Sequence, residues 1–202
     1  MPQIEHFRAI AISTVVLLMT ACAPEAVLEP EPHAPGSDVD VEVVGDKIVH
    51  GKTVVECFEA KVIAITDGDS IKVLNGDNET IRVRLESIDA PEKKQPFGTV
   101  AKNALSGMAF GKTVDVLKTG EDRWGRTLAF VLVDGRNTSV EMVKLGLAWN
   151  YVEYSKSDEL ARLEESARAT TIGLWDGSGD AVAPWAWRKK QKAARNSKKT
   201  SG

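Results

Sequence analysis

The stretch VVECFEAKVIAITDGDSIKVLNGDNETIRVRLESI, residues 54–88, decides the expected fold. Its apolar and β-branched residues loosely alternate with polar ones, which is typical of β-strands. Two short segments rich in Asp, Asn and Gly interrupt the pattern, and these residue types favour hairpin turns. The stretch therefore predicts a three-stranded antiparallel meander, with strands at Val54–Ile65, Ser70–Leu74 and Thr80–Ile88.

The first of the two turns, ITDGDS at residues 65–70, admits two interpretations. Asp-Gly is a turn signal because glycine, and to a lesser degree Asp, tolerates a positive φ. Two closely spaced carboxylates are also hard oxygen ligands of the kind that calcium or magnesium prefers. The segment alone leaves open whether Asp67 and Asp69 only shape a hairpin or also form half of a metal site.

The sequence after the meander predicts three helices and two further strands. Apolar residues recur at helical spacing after Pro91. Thr138 followed by Glu141 forms a capping box, and Ser157 is a good N-cap. The predicted elements are a helix ending near Gly111, strands Thr113–Lys118 and Leu128–Val133, and helices Thr138–Leu145 and Ser157–Thr171. This order predicts an α+β fold dominated by a five-stranded OB-fold β-barrel with about three helices.

The N-terminal segment, residues 1–21, has the pattern of a bacterial export signal. Arg8 precedes an apolar run from Ala9 to Met19, and small residues follow before Cys22. The run is too short to span a bilayer, which takes about 20 apolar residues. Leu18–Cys22 resembles a lipobox, so we expect Cys22 to carry a lipid anchor; ordinary signal-peptidase cleavage is the alternative. The expected product is an exported lipoprotein of the cell envelope, facing the periplasm or the outside, or released from the cell.

Three further segments differ in composition. Residues 22–50 are rich in proline and acid, which predicts a flexible, lipid-anchored acidic linker. Residues 51–188 have the size of one ordinary domain. Residues 189–202 contain several basic residues and no acid, which predicts a disordered tail able to hold a polyanion. The net charge of −3 thus combines an acidic N-terminal segment with a basic C-terminal one.

The scarcity of cysteine and histidine limits the chemistry open to the domain. The chain has two cysteines, and lipidation of Cys22 would leave no disulfide partner for Cys57, which we expect to pack as a small apolar residue. His6 lies in the signal and His33 in the linker, so only His50 is close to the domain. A hydrolytic site here therefore requires a carboxylate base, arginine electrophiles and a metal.

Several charged residues lie at strand ends, in loops or within the third strand, which are common positions for functional side chains on a rigid scaffold. They are Asp67, Asp69, Arg84, Asp89, Glu92 and Arg126. Each alone is compatible with a turn residue or an ordinary solvated charge. Together they supply the base, the cations and the metal ligands that phosphodiester hydrolysis by water requires.

Three segments of the chain resemble, in order and with compatible spacing, the signature segments of the staphylococcal nuclease (thermonuclease) family. They are ITDGDS at 65–70, RVRLESIDAPE at 82–92 and DRWGR at 122–126. GLAW at 146–149, GLW at 173–175 and PWAWR at 184–188 are similar to later landmarks of the family. The resemblance covers the domain from about Val54 to Arg188.

The resemblance implies a metal site and a base. Asp69 and Asp89 would ligate calcium, with the backbone carbonyl of Ala90 as a further ligand. Glu92 would be the general base that activates the attacking water. Ala90 stands where the best-known member of the family has threonine, a change that leaves a backbone ligand intact.

The resemblance also implies how substrate is held. Arg84 and Arg126 would bind the scissile phosphate and stabilise the transition state. We expect Trp124, Tyr151 and Arg123 to contact the nucleotide, and Trp124, which replaces a tyrosine of the family, is suited to stacking on a base, worth about 1–3 kcal/mol. Family members cut DNA and RNA, prefer unpaired strands and leave 3′-phosphates.

Two functions follow from these observations. The first is a calcium-dependent endonuclease, which we expect to act as a monomer. The alternative is a non-catalytic OB-fold module that binds or tethers nucleic acid at the cell envelope. A missing base or arginine would favour the binding module, and Glu92, Arg84 and Arg126 are all present.

Overall fold

Five strands close into a barrel at the centre of the domain. The structure, a computed structural model, describes residues 48–179 and 181–200. The strands are β1 (Ile48–Val49), β2 (Lys52–Thr53), β3 (Glu56–Ile65), β4 (Ser70–Asn75), β5 (Thr80–Leu85), β6 (Ile88–Asp89), β7 (Thr113–Glu121), β8 (Thr127–Val133), β9 (Arg136–Asn137) and β10 (Trp149–Asn150). The helices are α1 (Gly98–Ala109), α2 (Thr138–Lys144), α3 (Asp158–Ala169) and α4 (Pro184–Thr200), with a 3-10 helix at Gly173–Trp175.

The barrel is closed by one parallel contact. β3, β4 and β5 form the predicted antiparallel meander, and β7 and β8 extend it on the other side of β3. β5 then pairs in parallel with β8, with Val83 opposite Thr127 and Leu85 opposite Ala129. The prediction of an α+β fold with a five-stranded OB-type barrel is confirmed.

Alternation along the strands separates an interior from an outer surface. Val62, Ile71, Val73 and Val83 are fully buried inside the barrel, as the period of two residues for each face requires. α1 adds Leu105 to this core, together with small residues. Burial of these side chains provides most of the driving force that holds the barrel together.

A second apolar cluster lies outside the main core. It consists of Val54, Leu117, Phe130 and Leu132, and Cys57 packs against it as expected for a small apolar side chain. The β1–β2 hairpin contributes Val49 to the same cluster. This hairpin begins at Ile48, within the segment predicted as linker.

The helix caps partly match the expectations. Ser157 caps α3, accepting a hydrogen bond from the Leu160 N–H at 3.2 Å. The N-cap of α2 is Asn137 rather than Thr138, because the Asn137 side-chain oxygen accepts from the Ser139 N–H at 2.9 Å. The Thr138 hydroxyl instead donates to the Val131 carbonyl at 3.0 Å and ties α2 to β8.

The C-terminal segment differs from the prediction of a disordered tail at residues 189–202. α4 continues from Pro184 to Thr200. Its lysines, arginines, alanines and glutamine are good helix formers, and neither glycine nor proline interrupts it after its first residue. Charge pattern alone could not distinguish a solvated helix from a solvated coil.

The predicted export signal, the lipidated Cys22 and residues 22–47 of the predicted linker lie outside the described residues. In the part of the chain that the structure describes, no helix is both long and apolar enough to cross a membrane.

Candidate active site

The register of β4 and β5 brings together residues that are distant in sequence. Ser70 lies opposite Arg84 in this pairing, and the Leu85 N–H donates to the Asp69 carbonyl at 2.8 Å. Asp69 therefore lies just before the start of β4, beside Arg84. β6 follows β5 after a tight turn at residues 86–87 and brings Asp89 to the same place.

One guanidinium joins the two carboxylates. Arg84 donates from Nη1 to Asp69 Oδ1 and from Nη2 to Asp89 Oδ1, the latter at 2.8 Å. Nη2 also donates to the Ile88 carbonyl at 3.1 Å. Asp69 is 3% exposed and Asp89 0%, so these charges are held away from solvent. Burial lowers the pKa of the Arg84 guanidinium, and the Asp89 carboxylate opposes that shift.

The ITDGDS turn fits this arrangement through the size of its glycine. Gly68 does not have a positive φ, contrary to the expected reason for a glycine there. A Cβ on Gly68 would instead lie 2.7 Å from the Cβ atoms of both Ala90 and Ala101. Only glycine therefore lets the turn pack against α1 and the Ala90 segment.

Asp67 has a supporting position in the same turn. Its Oδ1 accepts the Asp69 N–H at 3.2 Å, which fixes the backbone of the residue beside it. Burial raises the pKa of the Asp67 carboxyl, and a hydrogen bond with Ser70 and the charges of Arg84 and Arg126 oppose the rise. Asp67 thus shapes the turn that orients Asp69.

The loop after β6 supplies the candidate base. The Ala90 N–H donates to Asp69 Oδ2 at 2.6 Å, so this loop is bonded to the turn that leads into β4. Two residues on, Glu92 has a 40% exposed side chain, and its N–H donates to Gln95 Oε1 at 3.2 Å. A Cβ on Gly98 would lie 2.1 Å from the Glu92 carbonyl, so a glycine is required where α1 begins.

A third arginine, absent from the predicted site residues, enters the site from α4. Arg188 donates from Nη2 to Asp89 Oδ2 at 2.8 Å and from Nη1 to Asp89 Oδ1 at 3.1 Å. Nη1 also donates to Glu92 Oε1 at 2.9 Å. Burial alone would lower the pKa of the Arg188 guanidinium, but the hydrogen bonds to Asp89 and Glu92 raise it. Arg188 therefore stays charged and joins a buried acid to an accessible one.

The hydrogen bonds use part of the acceptor capacity of the two buried acids. A carboxylate offers about four acceptor positions on its two oxygens. Asp69 Oδ1 accepts from Arg84 and a neighbouring hydroxyl, and its Oδ2 accepts from Ala90. Asp89 Oδ1 accepts from Arg84 and Arg188, and its Oδ2 from Arg188. Counted over the described residues, each Oδ2 accepts one hydrogen bond and so keeps an unused acceptor position.

These groups fit a hard cation. Both acids offer carboxylate oxygens, which are hard ligands. Both also already form ion pairs with guanidinium groups. Within residues 48–179 and 181–200, no set of three or more His, Cys, Asp and Glu side chains is arranged to hold a metal. The protein would therefore supply two carboxylates, and a backbone carbonyl such as that of Ala90, water or substrate would complete the coordination.

The loop between β7 and β8 carries the second predicted arginine. Asp122 Oδ2 accepts from Arg126 Nε at 2.7 Å, and its Oδ1 accepts the Trp124 and Arg126 N–H groups at 2.8 and 3.0 Å. Burial would raise the pKa of Asp122, but these hydrogen bonds lower it. Arg126 Nη1 lies 3.5 Å from the Ser70 hydroxyl, so the loop directs Arg126 toward the carboxylates.

Trp124 forms the exposed face of this loop. The residue is 58% exposed, with the guanidinium carbons of Arg123 and Arg126 at 4.2 and 5.4 Å from its ring centroid. Arg82 donates to its carbonyl at 2.8 Å. The arrangement presents an aromatic surface flanked by positive charge.

Tyr151, the remaining predicted substrate contact, belongs to an aromatic stack. Its ring lies parallel to that of Trp185, with centroids 5.3 Å apart, and 4.8 Å from Tyr154 on another side. Burial raises the pKa of the Tyr151 hydroxyl, and the nearby Asp89 carboxylate raises it further. One face of this side chain is thus covered by α4.

The structure brings most of the predicted site residues together. Asp69, Arg84 and Asp89 are in direct contact, with Ala90 bonded to the same group. Glu92 is linked to these residues through its hydrogen bond with Arg188. Arg126, Trp124 and Arg123 lie on the adjacent loop, and Tyr151 lies against α4. The sequence offered one sign of Arg188: it ends the segment PWAWR at 184–188, which is similar to a later landmark of the family.

Sequence comparison agrees with this geometry. The family described as staphylococcal nuclease homologue matches residues 82–177. An uncharacterized endonuclease of Haemophilus influenzae is 42% identical over 132 residues, which are 65% of this chain and 74% of that protein. The chain belongs to the staphylococcal nuclease family.

Further relatives show how far the likeness extends. A micrococcal nuclease of Shigella flexneri is 39% identical over 150 residues, 69% of this chain and 85% of that protein. The staphylococcal-like nuclease CAN1 of Arabidopsis thaliana is 43% identical over 111 residues, 55% of this chain and 34% of that protein. The matched segment of the nuclease family contains Arg84, Asp89, Glu92 and Arg126 and ends before α4.

Proposed function

We propose that this nuclease-family chain is a calcium-dependent endonuclease that hydrolyses phosphodiester bonds in DNA and RNA, prefers single strands and leaves 3′-phosphates. The observation that carries the proposal is the buried Asp69–Arg84–Asp89 unit with Glu92 beside it. Two relatives bear the names endonuclease and micrococcal nuclease. A binding module would not need a base next to buried acids.

Glu92 acts as the general base. Its side chain is partly exposed, so water can reach it, whereas Asp69 and Asp89 are enclosed. The carboxylate removes a proton from a water molecule as that water attacks the phosphorus. General base catalysis of this kind contributes typically about 10²- to 10⁴-fold to the rate.

Arg84 and Arg126 act on the phosphate. Negative charge grows on the phosphoryl oxygens in the transition state, and fixed guanidinium groups stabilise it without reorganisation. Arg84 is held by two carboxylates and Arg126 by Asp122, so both forks are oriented before substrate arrives. Arg126, at the more open loop, is suited to the leaving 5′-oxygen.

Asp69, Asp89 and the carbonyl of Ala90 would hold calcium. When bound there, the ion supplies positive charge close to the scissile phosphate. The protein contribution is to bury both acids and to fix their orientation through Arg84 and the Ala90 N–H. Arg123 and Trp124 then offer stacking and charge to the nucleotide, with Tyr151 on the other side of the site.

We also propose that the chain is exported and anchored through a lipid on Cys22. An unspecific nuclease is safe outside the cytoplasm, where calcium is plentiful. Cells fed labelled fatty acid should label the wild-type chain and leave Cys22→Ser unlabelled. Equal labelling of both chains would contradict the anchor.

Cleavage of single-stranded DNA by the purified full-length chain tests the activity. We expect cleavage with calcium, none with a chelator, and a loss of about 10²- to 10⁴-fold in Glu92→Gln. Glu165→Gln, the same change on the exposed face of α3, should cut like the wild type. DNA binding without cleavage under all conditions would instead identify a tethering module.

A further inference from the structure

We propose that Arg188 is a positioning residue of this site, holding the base Glu92 and the buried Asp89 in a fixed relation to each other. The inference rests on the proposed function, because it concerns the geometry of the same base. Arg188 lies 96 residues after Glu92, on the first turns of α4. The C-terminal helix therefore completes a site whose other charged groups come from the barrel and its loops.

The contacts of Arg188 are suited to this role. One guanidinium meets both oxygens of Asp89, at 3.1 and 2.8 Å, and also Glu92 Oε1 at 2.9 Å. The planar fork of arginine binds a carboxylate at two points and so fixes an orientation as well as a distance. A point charge such as lysine could neutralise these acids but could not set their angle.

Electrostatics show why such a bridge is needed. Asp89 is 0% exposed and already shares Arg84 with Asp69, so Glu92 adds a third negative charge to the same small region. Like charges in a poorly solvated site repel. A cation between Asp89 and Glu92 removes that repulsion and keeps Glu92 from turning outward into solvent.

Two contacts dock the start of α4 so that Arg188 reaches the site. Trp185 stacks on Tyr151 with 3° between the ring planes. Arg188 follows three residues later and so lies on the same face of the helix. The Gln95 side-chain amide donates to the Val182 carbonyl, while its Oε1 accepts the Glu92 N–H. The same glutamine thus ties the loop of the base to the segment that leads into α4.

The bridge uses both oxygens of Asp89 but only one oxygen of Glu92. Asp89 Oδ2 accepts one hydrogen bond from Arg188, and Glu92 is bound through Oε1. The Glu92 side chain is 40% exposed, so water can reach the carboxylate that Arg188 holds. Arg188 itself is 43% exposed at the edge of the site, which is where a supporting group, rather than a blocking one, would lie.

Cleavage kinetics of the full-length chain in saturating calcium test the role. Removal of a supporting partner typically lowers activity by about 10- to 100-fold. We expect Arg188→Ala to lower kcat by this factor with little change in KM, and Arg188→Lys to recover part of the loss. Arg162→Ala, the same substitution on the exposed face of α3, should leave both constants unchanged. A kcat for Arg188→Ala equal to or above that of the wild type would overturn the proposal.

Free guanidinium ion distinguishes positioning from simple docking of the helix. If Arg188 acts through its charged fork, millimolar guanidinium should restore part of the kcat of Arg188→Ala and have no such effect on Trp185→Ala. A helix anchor cannot be replaced by an ion in solution. Absence of any rescue specific to Arg188→Ala would therefore overturn the proposal.

Carbon-13 NMR of the side-chain carboxyl groups, without calcium or DNA, separates this inference from the proposed function. The Glu92 and Asp89 signals should move in Arg188→Ala and stay in place in Arg162→Ala. If the wild-type chain cuts nothing, the proposed function fails, and the NMR result alone decides whether Arg188 holds the two acids. Unmoved signals would contradict the proposal.

Discussion

The barrel mouth, formed by Asp69, Arg84 and Asp89, and the first turns of α4 contribute to one site in different ways. In the barrel mouth, strand register places each charged group, and the groups are almost fully buried. On α4, Arg188 is nearly half exposed and depends on a docked helix for its position. We therefore expect substitutions in the first region to cost more stability than substitutions on α4.

The largest expected effect concerns the two arginines that share Asp89. Arg84→Ala leaves Asp69 and Asp89 poorly compensated, and breaking a buried ion pair costs about 3–5 kcal/mol. Arg188→Ala should cost about 1–2 kcal/mol, between the values for exposed and buried pairs. Urea denaturation of the wild type and the two variants measures both differences. Equal decreases in unfolding free energy would contradict the distinction between the two regions.

The next effect compares the two acids of the ITDGDS turn. Asp69→Ala removes a proposed calcium ligand and should weaken calcium binding by more than about 100-fold. Asp67→Ala removes only a group that supports the turn, so we expect it to weaken calcium binding by close to 10-fold, the lower end of about 10- to 100-fold. Isothermal titration calorimetry with calcium alone gives both constants. Decreases of the same size would show that Asp67 also ligates the ion.

The smallest effect concerns the part of α4 beyond the site. Lys189, Lys190, Lys192 and Arg195 are exposed, and no acid lies among them. Replacing all four by glutamine should weaken single-stranded DNA binding and reduce its salt dependence. The slope of the logarithm of the binding constant against the logarithm of the salt concentration should become shallower by about 0.7 for each phosphate that is no longer neutralised. Binding to the catalytically inactive Glu92→Gln chain at several salt concentrations measures the slope. An unchanged slope would exclude a role in holding the substrate.

The sequence was sufficient for the barrel and for the convergence of most candidate site residues. Alternating strands 54–88 with Asp and Asn turns specify the meander locally, and Arg84 falls opposite Ser70 once β4 and β5 pair. Once the strands pair, the polar residues at neighbouring strand ends lie close together. The glycine at position 68 correctly indicated a turn, but the expected reason, a positive φ, was wrong. Close packing against Ala90 and Ala101 is what requires a glycine there.

The C-terminal part of the site could not be predicted in this way. Arg188 meets Asp89 across 99 residues, and no periodicity links the two segments. The residues around it carry many positive charges, and such a pattern predicts a solvated tail. Trp185 was the informative residue, because a large aromatic ring just before a basic segment usually has an apolar surface to cover, which here is Tyr151.

A double-mutant cycle between Glu92→Gln and Arg188→Ala tests most directly whether the barrel and its loops catalyse while α4 only positions. Single-turnover cleavage rates of the four full-length chains are compared in saturating calcium. If Arg188 acts through Glu92, the double variant should be no slower than Glu92→Gln alone, because coupled residues are not additive. A double variant slowed by the product of the two single effects would contradict this division of roles.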